Sequence, residues 1–406
     1  MINPDDINKS QIEIEKLFYL QVENGQQSAS INNPNASACG QFLKEYHREQ
    51  RGIHGTSAAL YVLSHSHDQS QKVTIPKLFH YITNRQNIET NITNNQMDAS
   101  IIRDSKNIIK IGEILNSLSN INTGIVPKDN YVQQLLNELT SFKKNRDGWG
   151  YFTDSPERDA ELLPTIFAIK GILSIQSADD DAVRFVAREC LNKINSNTID
   201  NTSYAIVILG IYTLSFYDLA NVAGLNFKEI VSKLFSKNPM SLSEGNEMNI
   251  EYWYGEKHEY IRIPWQIYLI ALAAKYSPIQ FSKLVTQERL KELVGSTLNA
   301  GFKYVYSGPY ISSRTNYIIY ECLSHVKQNL KSKLLYDVLY FIDQIREFLG
   351  KSGVRYLIKF LIIVLFGYSL YLWRNSTTER EKLNNIATEV INFALFWLFS
   401  LGKRRK

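Results

Sequence analysis

Guanidinium and imidazole groups set among aromatic rings can hold an anion, and this sequence gathers such groups in the segments that lead into its apolar runs. The cations are Arg51, His54, Arg103, Arg158, Arg262 and Arg314, and the rings are Trp149, Tyr151, Trp253, Tyr254, His258, Tyr260 and Tyr310. Cationic groups attract phosphates and aromatic planes stack on bases, so the combination suits a nucleotide or oligonucleotide. The candidate ligand-binding set is Arg51, His54, Arg103, Trp149, Tyr151, Tyr254, His258, Arg262, Arg314 and Asn316. A structural reading stands beside it. Glu157, Asp159, Glu161, Glu256 and Glu259 are interspersed and can pair with several of those arginines, and Trp149 reads as a packing residue between repeats before a base platform.

Other chemistries find less support. No GxxxxGK[ST] or GxGxxG loop stands before a helix, which argues against a nucleotide-hydrolysing engine. Cys39, Cys190 and Cys322 are far apart with no CxxC spacing, so neither a disulfide framework nor a thiolate zinc site is expected, and no cofactor or metal is assigned. A glycosidase needs two facing carboxylates, for which Asp159, Glu161 and Glu259 are available, but spacing in sequence does not measure their separation. His65 and His67 are placed to cap the far end of a helix or to form a metal pair. The net charge of +5 is mild and partly confined to Lys403, Arg404, Arg405 and Lys406, so charge alone does not argue for nucleic acid.

The elements that must position these residues are helices. Between Ala38 and Gly350, apolar segments with small residues alternate with longer amphipathic ones. The apolar segments begin near Thr56, Arg103, Thr165, Thr202, Pro264 and Thr315, roughly fifty residues apart, the size of a helical-pair repeat. The intervening segments, 74–87, 131–145, 179–195, 227–236, 288–298 and 331–349, carry a polar face and are expected on the outside. Pro164, Pro264 and the Thr or Ser residues that open the other runs mark helix starts. Six inner helices, entered at one end and enclosed by six outer ones, make an (α/α)6 toroid over residues 38–350, preceded by an N-terminal segment 1–37. The inner N-termini then converge, and each favours an anion by about 0.3–1 kcal/mol.

From Arg146 the sequence reads RDGWGYF and leads to LLPTIFAIKGIL. This resembles the DGxWG-type repeats of the terpene (squalene) cyclase and protein prenyltransferase superfamily, with weaker echoes at Gly52, Glu251 and Gly301. The resemblance covers roughly residues 38–326 and implies the same toroid. It does not carry the family's chemistry across. Cyclases of this type need a DxDD acid on an inner helix, whereas Asp179, Asp180 and Asp181 open an outer one, where they complement the helix dipole. The prenyltransferases hold zinc with Asp, Cys and His, and here Cys322 has only His325 nearby.

The C-terminal part, 351–406, reads as a transmembrane helical hairpin. Tyr356 to Trp373 is apolar apart from Lys359, which can snorkel from near one end. Ile386 to Gly402 is barely long enough to span and carries Glu389 and Asn392, three residues apart on one helical face and therefore candidates for lining a pore. A surface-lying amphipathic helix is the alternative for this second stretch. Lys351, Arg355, Lys359 and the last four residues outnumber Arg374, Arg380 and Lys382, which puts the large domain and the C-terminus on the cytoplasmic side of a bacterial inner membrane. The start of the chain lacks the features of a signal peptide.

The expected function is that of a membrane-anchored effector. Its toroid binds an anionic nucleotide or oligonucleotide and controls hairpins that permeabilise or depolarise the bilayer as a homo-oligomer, since two helices per chain cannot enclose a pore. The architecture is similar to that of membrane effectors in nucleotide-controlled antiphage defence systems, such as the one in Hailong. The alternatives are a membrane-bound enzyme, terpene-cyclase-like or glycan-acting, and a nonenzymatic scaffold.

Overall fold

The computed structural model describes residues 4–27, 39, 53–91, 107–143, 147–151, 160–177, 179–196, 199–237, 247–253, 256–263, 265–286, 313–331 and 333–350. Packing divides the chain into two units, Met1–Ser332 and Lys333–Lys406. The first is built from α1 (Pro4–Gln27), α2 (Ile53–Ser64), α3 (Ile75–Asn91), α4 (Ile108–Leu118), α5 (Asp129–Lys143), α6 (Leu162–Leu173), α7 (Asp180–Asn195), α8 (Asn201–Phe216), the short α9 (Ala220–Ala223) and α10 (Phe227–Lys237). It is completed by α11 (Trp265–Tyr276), α12 (Pro278–Thr286) and α13 (Ser313–Asn329). In the second unit, the described element is α14 (Lys333–Gly350).

Each apolar segment forms a helix: α2, α4, α6, α8, α11 and α13 are made of the six runs that the repeat pattern singles out. They pack in that order, each on the next, and α13 packs back on α2. Contacts between them rise in register along both partners. In α2 and α13, Tyr61 meets the Tyr317 ring at 4.8 Å and the Tyr320 hydroxyl lies 3.1 Å from the His65 carbonyl. In α8 and α11, Tyr204 meets Trp265 at 5.1 Å and the Ser215 hydroxyl donates to that of Tyr276 at 3.1 Å. These neighbours therefore run parallel. Between α4 and α6 the backbones touch, because a Cβ on Gly171 would stand 2.7 Å from the Gly112 Cα.

The amphipathic helices form the other layer. α3 packs on α2, α5 on α4, α7 between α6 and α8, α10 on α8 and α11, and α12 on α11, while the expected outer segment 288–298 lies outside the described residues. The neighbour shared by α2 and α13 is α1, which comes from the expected N-terminal segment. Its sequence carries the reason: Ile7, Ile14, Phe18 and Val22 recur at helical spacing and are all buried. Glu15, also buried, accepts from the Tyr320 hydroxyl (2.9 Å), the Ser66 hydroxyl (2.9 Å) and the His67 amide (3.1 Å), while Gln11 donates to the Ser324 hydroxyl (2.8 Å). The 331–349 segment, expected as an outer helix of the same domain, becomes α14 of the second unit.

Helix starts differ in detail from expectation. The caps are Asn107, Asp179 and Asp200, whose side chains accept from the amides of Ile109, Asp181 and Ser203. Thr165 and Thr56 lie inside their helices, where they hold loops: Thr165 Oγ1 accepts from the Trp149 amide at 2.9 Å and Thr56 Oγ1 from the Cys39 amide at 3.2 Å. Among the described residues the fold is helical with one exception. Glu247–Trp253 (β1) and Glu256–Ile263 (β2) pair as an antiparallel hairpin in a register that sets Trp253 opposite Glu256. The segment alternates apolar and polar residues through Met248, Ile250 and Tyr252, a period-2 signal that the helical-repeat reading passes over. β2 ends just before α11 begins, and it packs on α13 and α8.

Among the described residues no helix is long and apolar enough to cross a membrane. The hairpin assigned to 351–406, with Glu389 and Asn392, lies outside the described residues.

Candidate functional site

Charged side chains in apolar helices must find partners, because an unpaired charge in a low-dielectric interior is very costly. The six ring helices carry four such residues, Lys110 and Glu113 in α4, Lys170 in α6 and Glu321 in α13, all under a tenth exposed. Lys170 Nζ donates to Glu321 Oε2 at 2.6 Å and to the Tyr317 hydroxyl at 3.2 Å, and Asn116 Nδ2 donates to the same hydroxyl at 2.5 Å. Since Asn116, Lys170 and Tyr317 come from α4, α6 and α13, this network joins α13 to helices that are not its neighbours in the packing order.

Nearer the start of the inner helices lies a second cluster. Arg314, in the first turn of α13, sets Nη2 3.0 Å from Glu113 Oε1, without the alignment of a hydrogen bond. His54, in the first turn of α2, is bonded through Nδ1 to Glu113 Oε2. Burial pushes the Glu113 carboxyl up, but Arg314, His54 and Lys110 together outweigh burial and hold it down at about 2. Glu113 is therefore a carboxylate at any physiological pH. The Arg314 guanidinium also lies over the Phe167 ring of α6 at 5.0 Å. Its Nε is buried without a hydrogen-bond partner among the described residues.

At the opposite end, the Tyr212 hydroxyl and His325 Nδ1 are 2.7 Å apart, and the His325 ring stacks on Phe216 at 3.9 Å. Burial pulls the His325 imidazole down, Glu321 opposes this and Lys170 adds to it, leaving it at about 4. His325 is thus neutral at pH 7 and shares a hydrogen bond with Tyr212. Cys322, one turn away, is fully buried and its thiol is pushed well up by that burial. Neither residue has the exposure or the partners of a zinc ligand. Among the described residues no group of three or more His, Cys, Asp or Glu could hold a metal ion.

The predicted residues divide accordingly. His54 and Arg314 come together around Glu113, and Asn316 is buried two residues further along α13. Trp149 is buried with its Nε1 donating to the Leu139 carbonyl at 2.9 Å, so it packs between α5 and α6 and has no open face for a base. Gly148 before it is fixed by the same packing, since a Cβ there would press on the Thr165 side chain. The Tyr151 carbonyl accepts from the Ile108 amide at 3.0 Å and fixes the loop to the start of α4. His258 and Arg262 belong to β2, while Arg51, Arg103 and Tyr254 lie outside the described residues. Asp179 caps α7 and pairs with Lys143, and the Asp180–Asp181 carboxylates pair with Arg184, which are structural roles. His65 bonds the Tyr61 carbonyl at 2.8 Å and His67 bonds Glu15 at 2.8 Å, so both fasten helix ends.

Sequence reasoning missed Lys110, Glu113, Lys170 and Glu321. The signal was present as single charges inside runs such as IIKIGEIL and TIFAIKGIL, where a buried helix has no place for an unpaired one. Comparison of the chain with models of protein families, with curated proteins and with solved structures gives no match.

Proposed function

We propose that the chain is a membrane effector whose first unit is an (α/α)6 toroid that receives an anionic ligand at the end where its inner helices start. One observation carries this reading. Around Glu113, the Arg314 guanidinium and the His54 imidazole, both half-buried, come together from the first turns of α13 and α2 on one buried carboxylate of α4. Groups fixed in place by such a carboxylate keep further N–H donors for an anion, and Arg314 Nε has no hydrogen-bond partner among the described residues. Arg314 and His54 also occupy the first turns of parallel helices, where the dipole adds positive potential. β2, which carries His258 and Arg262, adjoins the start of α11 and so enters at the same end. The apolar stretches at 356–373 and 386–402 are the membrane-acting part, and ligand binding controls their assembly into a path that depolarises the bilayer.

The test is calorimetric titration of the purified full chain with a mononucleotide, a dinucleotide and a short oligonucleotide at low and high salt. Binding that weakens with salt supports the reading, because phosphate contacts release counterions. Absence of binding to any of the three at low salt defeats it.

A further inference from the structure

The helix α14 presents an apolar face to solvent. Val338, Phe341, Ile342 and Ile345 are exposed, Phe341 by 64% and Ile342 by 51%. They do not belong to the side by which the helix is held. Tyr336 is 2% exposed, and at 3.6 residues per turn the four apolar residues lie roughly 140° to 240° around the helix from it. One side of α14 is thus already packed, and the opposite side is apolar and open.

The spacing identifies what fits there. Leu335, Val338, Ile342, Ile345 and Leu349 follow one another at alternating steps of three and four residues, the heptad pattern of a seam between helices lying side by side. No charged residue interrupts the seam. Phe341, with Leu334, Leu339 and Phe348 in the sequence, adds apolar residues at the flanking positions that usually carry charges. A face that wide is not covered by one partner helix, and it favours a bundle of several.

We propose that α14 is the self-association element of this protein, packing in parallel against the α14 helices of other copies to form a short bundle. The parallel arrangement rests on the membrane reading above: Gly350 stands six residues before the apolar stretch that opens at Tyr356. Copies inserted in one membrane share one orientation, so their stripes meet at the same height, Ile342 facing Ile342 and Ile345 facing Ile345. A bundle of more than two helices supplies the assembly that a two-helix hairpin needs in order to surround a path through the bilayer.

Cysteine cross-linking of the full chain in isolated membranes tests this. The native cysteines Cys39, Cys190 and Cys322 are all buried, so the unsubstituted protein gives a low background. Under a mild oxidant, Ile342→Cys and Ile345→Cys form disulfide-linked pairs in which each thiol gives up its hydrogen to the oxidant, and they do so several-fold more than Gln344→Cys, which is exposed on another side of the helix. The double change Ile342→Glu/Ile345→Glu weakens self-association in detergent by roughly tenfold or more, read by light scattering. Cross-linking at 342 and 345 no greater than at 344 overturns the proposal. Alkaline carbonate extraction of the same membranes separates the two ideas: release of the protein overturns the membrane reading, while the ratio of cross-linking at 345 to that at 344 still decides self-association.

Discussion

The side chains that distinguish this protein are charges enclosed by apolar helices, and their behaviour can be tested one residue at a time. Removing one member of the Lys170–Glu321 pair leaves the other buried without its counterion. Lys170→Met is therefore expected to destabilise the protein by about 3–5 kcal/mol, and adding Glu321→Leu recovers most of that, because an apolar pair of similar volume needs no compensation. Chemical denaturation of the two variants checks it, and a double variant no more stable than the single one contradicts it. His325 gives a pH signature. Its folded value near 4 lies below the ordinary 6.5, so between these values the unfolded chain binds more protons than the folded one. Stability from neutral His325 is complete above about pH 6.5 and is lost as pH falls towards 4, a loss of about 3 kcal/mol. His325→Asn should reduce the drop in melting temperature between pH 7 and pH 4.5, and equal drops in both proteins would contradict it. The Glu113 carboxylate acts in a lower window, losing its contribution as pH falls from about 4.5 towards 2.

At the level of elements, two junctions decide how the ring holds together. α4 and α6 approach until Gly112 and Gly171 meet, and a Cβ on Gly112 would overlap the Phe167 carbonyl. Backbone cannot yield as a flexible side chain does, so Gly112→Ala is expected to cost about 1–3 kcal/mol, measured as a lower denaturation midpoint. The other junction lies between the first and last inner helices. There α1 presents Glu15 to donors from Tyr320 of α13 and from Ser66 and His67 after α2. Glu15→Ala removes the acceptor that these donors share and should destabilise by about 1–3 kcal/mol, with faster amide exchange in α2 and α13 than in α6. Equal acceleration throughout would argue against a specific role of α1 at that junction.

For the whole molecule, the proposal couples an anion site in the first unit to a membrane-acting end. Truncation after Gly350 is expected to preserve ligand binding and abolish depolarisation of membranes in cells that overproduce the protein, read with a potential-sensitive dye. Arg314→Ala in the full chain should weaken binding of the anion by tenfold or more, since a charge-assisted hydrogen bond contributes about 1.5–3 kcal/mol. Circular dichroism of that variant separates loss of the site from loss of the fold. Full-length protein that leaves the membrane potential unchanged with and without ligand would return the chain to the scaffold or enzyme readings.

The sequence alone determined the class of element and its order. Period and apolarity are local properties, so the six buried helices could be read from runs such as TSYAIVILGIYTL, and α3, α5, α7, α10 and α14 from their charged faces. It also held the signal for α1 in Ile7, Ile14, Phe18 and Val22, and for β1 in the alternation around Ile250, although a repeat-based reading assigns neither. What only the tertiary structure decided is which residues face one another. Glu113 meets Arg314 across 201 positions of sequence and Lys170 meets Glu321 across 151. Trp149 turned inward because Leu139 and Thr165 supply partners for its side chain and backbone. Such pairings depend on the register of helices that are distant in the chain, and register is set by packing, above all by close approaches like that of Gly112 and Gly171. No local pattern of charges or rings records it.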